Sequence, residues 1–122
     1  MDISRLRQQV YNLNKEREKL QNTLLQPRKM IRGSVYEIYK KCGNKGCKCA
    51  HGDLHGPFKG LSLTTKGKRT FRFIRREDER QVSGEAENYR LYQKQMASIR
   101  KINQEIFSIL KKIRDSKVKD YL

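Results

Sequence analysis

The stretch CGNKGCKCAHGDLHGP, residues 42–57, contains all three cysteines and both histidines of the chain. Thiolate sulfur and imidazole nitrogen are the ligands that a tetrahedral zinc site uses. We therefore expect one Zn²⁺ ion held by four residues: Cys42, Cys47, Cys49 and His55. His51 is the alternative fourth ligand, but it lies only two residues from Cys49, and two side chains this close in sequence do not easily bind the same ion. The segment is too polar to form an apolar core, so the metal would stabilise it as a zinc-knuckle-like loop.

Other interpretations of the cysteines stay open. The spacing C-x4-C-x-C-x5-H is not a common zinc-finger spacing, and the three residues could be reduced thiols in a glycine-rich loop or serve redox chemistry. The N-terminal residues lack the apolar core of a signal peptide, which predicts a reducing, cytoplasmic location. An odd number of cysteines also argues against a self-contained set of disulfides.

Residues of β character flank the cysteine segment on both sides. The run 33–40 predicts a first strand, the run 58–65 a second and the run 69–75 a third, because each is rich in β-branched or aromatic residues. Lys66-Gly67-Lys68 is a turn signal between the second and third strands, so these two should form a hairpin. We expect the first strand to add to it as a small three-stranded antiparallel sheet.

The N-terminal flank, residues 1–27, predicts a helix. Its apolar residues recur at alternating spacings of three and four, a seam of about three heptads, and Pro27 marks the end. Arg17 occupies the position where this repeat lacks an apolar residue. The seam residues are Ile3, Leu6, Val10, Leu13, Leu20 and Leu24.

The C-terminal flank, residues 77–122, predicts a second helix, which starts either near Glu77 or at Ser83 and carries a continuous apolar stripe from Tyr89 to Ile113. Neither helix can bury its stripe alone. We expect an antiparallel coiled-coil hairpin, with coiled-coil dimerisation as the alternative; both together would make a four-helix bundle. The sequence thus predicts one α+β domain of order α-β-β-β-α, with residues 28–76 as its basic central module.

Positive charge is concentrated in that central module. The formal net charge is +16, and residues 28–76 carry fourteen basic but only two acidic residues. Such an excess predicts a polyanionic partner, and DNA or RNA is the first candidate. The residues that we expect to contact nucleic acid are Arg28, Lys29, Arg32, Lys40, Lys41, Lys45, Lys48, Lys66, Lys68, Arg69, Arg72, Arg75 and Arg76.

Aromatic residues are interleaved with these basic residues: Tyr36, Tyr39, Phe58, Phe71 and Phe73. The simpler expectation is that they form the small core under the sheet. If Tyr36 or Phe71 is exposed instead, it could stack on unpaired bases, which would favour RNA or single-stranded DNA. If the hairpin turn at Lys66 is the protruding feature, duplex DNA would be favoured, because a two-stranded ribbon fits the major groove.

Other classes of function fit the sequence less well. A zinc hydrolase needs an open coordination position and a general base, but the central module offers only Glu37 and Asp53 as carboxylates. We therefore expect no enzymatic activity. No stretch is long and apolar enough for a transmembrane helix, and the stripes suit protein packing better than a membrane surface. The main alternative is a structural adaptor whose helices dock onto a larger nuclease or recombinase.

Several motifs resemble those of a small prokaryotic family of unknown function. They are the run Arg32 to Tyr36, the cluster C-G-x3-C-x-C-A from Cys42, and the step His55-Gly56-Pro57-Phe58 followed by Leu61-Ser62. Members of that family carry helices on both sides of these motifs and usually lack a histidine at the position of His51. The resemblance favours His55 over His51 as the fourth ligand and implies a gene context of mobile elements or phages; it implies no activity.

Overall fold

The structure, a computed structural model, describes residues 3–41, 46, 52 and 54–122. Within them the order of elements is α-β-β-β-α: helix α1 spans Ile3–Leu24, strand β1 Ser34–Lys40, strand β2 His55–Thr65, strand β3 Lys68–Phe73 and helix α2 Glu79–Lys117. A short 3-10 helix, Arg76–Asp78, precedes α2. The predicted α+β class, the three-stranded antiparallel sheet and the element order are confirmed.

The three strands form one antiparallel sheet in the order β1-β2-β3, so that β2 lies in the centre. A two-residue turn joins β2 to β3, and both of its residues, Lys66 and Gly67, have positive φ angles of 51° and 78°. Two successive residues in this conformation make the tight hairpin turn whose twist matches that of the flanking strands. The predicted hairpin is therefore present, and its turn includes Gly67, a residue type that adopts a positive φ angle without strain.

The chain divides into two compact units, which we call the helical unit and the sheet unit. Residues Met1–Pro27 and Leu91–Leu122 form the helical unit, and residues Arg28–Arg90 form the sheet unit. Helix α2 contributes residues to both. In the helical unit, Leu6, Ile102 and Ile109 are buried, and the Tyr92 hydroxyl donates a hydrogen bond to the Leu24 carbonyl oxygen at 3.0 Å.

Burial along α1 follows the predicted seam. The buried or half-buried positions are Ile3, Leu6, Val10, Leu13, Arg17, Leu20 and Leu24, and the described positions between them are exposed. The seam therefore includes Arg17 as well as the apolar residues. The Arg17 Nε atom is buried and has no hydrogen-bond partner, which is costly for a charged group.

In the sheet unit, the first turns of α2 lie beside the start of β1. The Ile31 backbone N–H donates to the Glu85 carbonyl oxygen, and the Asn88 side chain donates to the Lys29 carbonyl oxygen. Ala86 is buried, and it lines a cavity of about 170 Å³ together with Val35 and Ser83. These contacts fix the strand that follows Gly33 against the helix that follows the sheet.

Some predicted boundaries shift. Strand β2 begins at His55, three residues before the predicted start, because its first residues pair with the end of β1. Helix α2 begins at Glu79, near the earlier of the two predicted starts, and continues through Gly84. Among the described residues, no helix combines the length and the apolar character that crossing a bilayer requires.

Candidate nucleic-acid interface

The register of the sheet decides which side chains share a face, because residues paired across neighbouring strands point to the same side. Phe71 pairs with Ser62, and Phe73 pairs with Gly60, which in turn pairs with Tyr36. We call this side the aromatic face and the other side the opposite face. The paired strand residues of the aromatic face are Ser34, Tyr36, Ile38, Phe58, Gly60, Ser62, Thr64, Arg69, Phe71 and Phe73.

Gly60 lets the Tyr36 ring lie over the central strand. A Cβ atom added at Gly60 would come within 2.8 Å of the Tyr36 Cζ atom and 2.9 Å of its hydroxyl oxygen. The Tyr36 ring meets the Phe71 ring edge-to-face, with centroids 5.8 Å apart and an interplanar angle of 84°. This arrangement is a favourable one for two aromatic rings, and it supports Phe71 from the side of β1.

Phe71 and Phe73 are 60% and 66% exposed. The expectation that the aromatics form a core under the sheet is therefore wrong for these two residues. It is also wrong for Tyr39, which is exposed. The physical reason is the alternation of β3, which places both phenylalanines on the aromatic face, where their rings stay more than half exposed. Tyr36 and Phe58 are half-buried.

Each of the two exposed phenylalanine rings has a cation beside it. The Lys40 Nζ atom lies 4.5 Å from the centroid of Phe73 and 5.2 Å from that of Phe58. The Arg69 guanidinium carbon lies 5.5 Å from the centroid of Phe71. Cations at these distances are attracted to the ring faces, so both side chains are held on the aromatic face.

Besides its contact with the Phe71 ring, Arg69 is held by a hydrogen bond to Ser62. The Arg69 Nε–H donates a hydrogen bond to the Ser62 Oγ atom at 3.0 Å, and Ser62, in the central strand, is buried. This bond uses one edge of the guanidinium group. The planar fork of the group retains further N–H donors, which suit the oxygens of a phosphate.

The acidic residue of the sheet lies on the opposite face. Of the residues in the three described strands, Glu37 alone is acidic, and it pairs with Lys59. The Tyr39 hydroxyl donates a hydrogen bond to the Glu37 carboxylate at 3.1 Å, which raises the pKa of Tyr39 above its ordinary value. The strands therefore present cations without a carboxylate on the aromatic face.

The other predicted contact residues in the described part of the chain do not share the aromatic face: they lie on the opposite face, in the hairpin turn or outside the strands. Lys68 and Arg72 pair with Thr65 and Leu61 and so lie on the opposite face. Lys66 lies in the hairpin turn, and Lys41 directly follows β1. Five more lie outside the strands: Arg28, Lys29 and Arg32 before β1, and Arg75 and Arg76 after β3. Lys45 and Lys48 lie outside the described residues.

The predicted metal ligands fall mainly outside the part of the chain that the structure describes. Cys42, Cys47, Cys49 and His51 belong to that remainder, and His55 is the first residue of β2. Within residues 3–41, 46, 52 and 54–122, no three potential metal ligands lie together. Lys40, at the end of β1, pairs with His55, so the two ends of the cysteine segment are held side by side.

Sequence reasoning missed Ser62 and Gly60 as parts of the interface. Neither residue carries charge or an aromatic ring, and their roles depend on what lies next to them in the sheet. The one signal in the sequence was the pair of small residues alternating along a strand otherwise rich in larger side chains, which often marks the close approach of another group.

The fold and this site define a small α+β protein in which a three-stranded sheet exposes aromatic rings and anchored cations on one face. A family model for a domain of unknown function, DUF6788, matches residues 4–83, so this protein belongs to the DUF6788 family. The match includes α1, all three strands and the first residues of α2. No curated protein and no solved structure matches the chain significantly.

Proposed function

We propose that this protein is a small, non-enzymatic nucleic-acid-binding protein that acts as an accessory or regulatory factor in complexes with DNA or RNA. The observation that carries this proposal is the aromatic face, where Lys40 and Arg69 are anchored and the strands present no carboxylate. Phosphate contacts from Lys and Arg supply most of the affinity of such proteins, without reading the sequence. The family resemblance suggests mobile elements or phages as the context.

Zinc is the second part of the proposal. Cys42, Cys47 and Cys49 would supply three thiolates, and His55 would supply the fourth ligand, with His51 as the alternative. The pairing of Lys40 with His55 supports His55, because Cys42 follows Lys40 by only two residues along the chain. The site would be structural, closing the end of the sheet from which Lys40 projects.

The helical unit is the third part. We infer that α1 and α2 pack as an antiparallel coiled-coil hairpin, because burial along α1 follows spacings of three and four residues. Support for the antiparallel direction comes from two contacts. Leu24, at the end of α1, bonds Tyr92, whereas Leu13, in the middle of α1, lines a groove with Ile109, much later in α2. The hairpin would be a scaffold for the sheet unit.

One measurement tests the metal and the binding together. The protein is purified without chelator, and its bound metal and its affinity for nucleic acid are measured at low and high salt. We expect one zinc per chain, its loss in Cys47→Ser, and an affinity that falls steeply as salt rises. A protein without metal and without salt-sensitive binding would contradict the proposal.

The second candidate function is that of an adaptor which docks through its helices onto a larger nuclease or recombinase. A specific observation favours it: the apolar side chains of Met96, Phe107 and Leu110 in α2 are exposed, so a protein partner could cover them. In that case Phe107→Ser and Leu110→Ser should abolish association with the protein partner, and the wild type should show no salt-sensitive binding to nucleic acid. If the nucleic-acid proposal is correct, the same substitutions should leave the salt-dependent affinity intact.

A further inference from the structure

Duplex and single-stranded nucleic acids differ in how far the flat faces of their bases are exposed, and the surface of a sheet can contact exposed base faces. In a duplex the flat faces of the bases are covered by their neighbours in the stack, whereas a single strand can turn its bases outward. Aromatic side chains on a protein surface stack on such bases, largely regardless of base identity. Exposed aromatic rings beside anchored cations are therefore informative about the form of the nucleic acid.

Packing does not account for the exposure of Phe71 and Phe73. Both rings project from the aromatic face with more than half of their surface exposed, although burial of a phenylalanine is favourable. Sheets commonly carry polar residues on an uncovered face. Here β3 instead places two phenylalanines there, and Tyr36 supports one of them from the side.

The spacing of the two rings matches bases that are not stacked on one another. Phe71 and Phe73 are alternate residues of β3, so their Cα atoms are about 6.7 Å apart along the strand. Successive bases in a duplex strand are separated by about 3.4 Å. Two neighbouring bases could each lie on one ring only if the strand were unpaired and locally extended.

We propose that the aromatic face binds unpaired nucleobases of a single strand, with one base on Phe71, the next on Phe73, and Lys40 and Arg69 on the flanking phosphates. This inference rests on the proposed nucleic-acid-binding function and narrows its partner to a single strand. The shared chemistry of RNA and single-stranded DNA is all that the face recognises, since its rings stack on either.

The positions of the cations fit this role. Arg69 is held by Ser62 through one edge of its guanidinium group, and Lys40 is held between two rings. Neither cation is neutralised by a carboxylate of the strands, because Glu37 lies on the opposite face. A phosphodiester backbone that follows β3 would therefore meet a positive charge beside each ring.

The test uses the full chain and three probes of about twelve nucleotides: oligothymidylate, oligouridylate and a duplex. Affinities of wild type, Phe71→Ala and Phe73→Ala are measured by fluorescence anisotropy, and Phe71→Tyr and Phe73→Tyr serve as conservative variants that keep a ring. Phe107→Ala, which removes an equally exposed ring from α2, is the matched control. Circular dichroism shows whether each variant is folded.

We expect Phe71→Ala and Phe73→Ala each to weaken single-strand binding by about 5- to 150-fold, with duplex binding changed by much less. The tyrosine variants and Phe107→Ala should bind single strands as the wild type does. Similar affinities for the two single strands are expected, because the face recognises what RNA and single-stranded DNA share; a large difference would contradict that part of the inference.

Two outcomes overturn the inference. If the wild type binds both forms with steep salt dependence and the alanine variants lose nothing, or lose duplex binding equally, the rings do not stack on bases, although the nucleic-acid function stands. A hairpin that enters the major groove through Lys66 would give this result. If the wild type shows no salt-sensitive binding to any probe, the proposed function itself is wrong, and the inference fails with it.

Discussion

Replacing Arg69 by glutamine separates a direct phosphate contact from the general effect of positive charge. Arg72 provides a matched control, because Arg72→Gln removes the same charge from the same strand but on the opposite face. Each phosphate contact to a single strand contributes about 0.7 to the slope of log affinity against log salt. A fourfold rise in salt should therefore weaken wild-type binding by about 2.6-fold more than it weakens Arg69→Gln.

The assay is a salt titration of oligothymidylate binding, from about 50 to about 200 mM, for the wild type and both variants. Arg69→Gln should lower the slope and the affinity, whereas Arg72→Gln should change the slope by much less than 0.7, since its side chain does not lie on the aromatic face. Equal changes of slope in the two variants would refute the reasoning. The affinity would then depend on the net charge of the sheet unit, and the face would not matter.

Three further predictions concern stability. Gly60→Ala places a methyl group within 2.8 Å of the Tyr36 ring, so we expect the free energy of unfolding in urea to fall by about 1–3 kcal/mol; an unchanged value would mean that the ring moves aside without cost. Ile102→Ala removes a buried side chain of the helical unit and should cost about 2–4 kcal/mol, whereas Leu110→Ala, which is about half exposed, should cost less than half as much. Arg17→Leu removes a buried, unpartnered Nε atom from the seam of α1 and should raise the thermal midpoint; a lower midpoint would show that the guanidinium group stabilises the fold.

The secondary structure followed from local sequence patterns. The composition of the run 69–75 predicted the third strand, and the turn signal at Lys66 predicted the hairpin. The apolar spacing of α1 predicted its buried side, including the place of Arg17 in the seam. These features depend on residues close together in the chain, so the periodicity of side chains was enough to find them.

The composition of the aromatic face could not be derived in the same way. Whether Phe71 is buried depends on whether another element covers its face of the sheet, and alternation alone does not decide this. The anchoring of Arg69 by Ser62 depends on the register between β2 and β3. A shift of one residue would send these side chains to different faces. The pairing between strands therefore determines which residues make up the aromatic face, although local patterns had predicted most of its cations.

The exposure of Phe71 and Phe73 is the feature that most needs a functional reason. Exposed apolar rings on a sheet lower solubility and favour association, and the concentrated positive charge around them repels itself in the folded state. Both costs fall when a polyanion with unpaired bases binds, because its phosphates neutralise Lys40 and Arg69 while its bases cover the rings. A duplex would neutralise the charge and leave the rings exposed, and an acidic protein surface would do the same. Of these three kinds of partner, a single strand would relieve both at once, as the proposed binding mode requires.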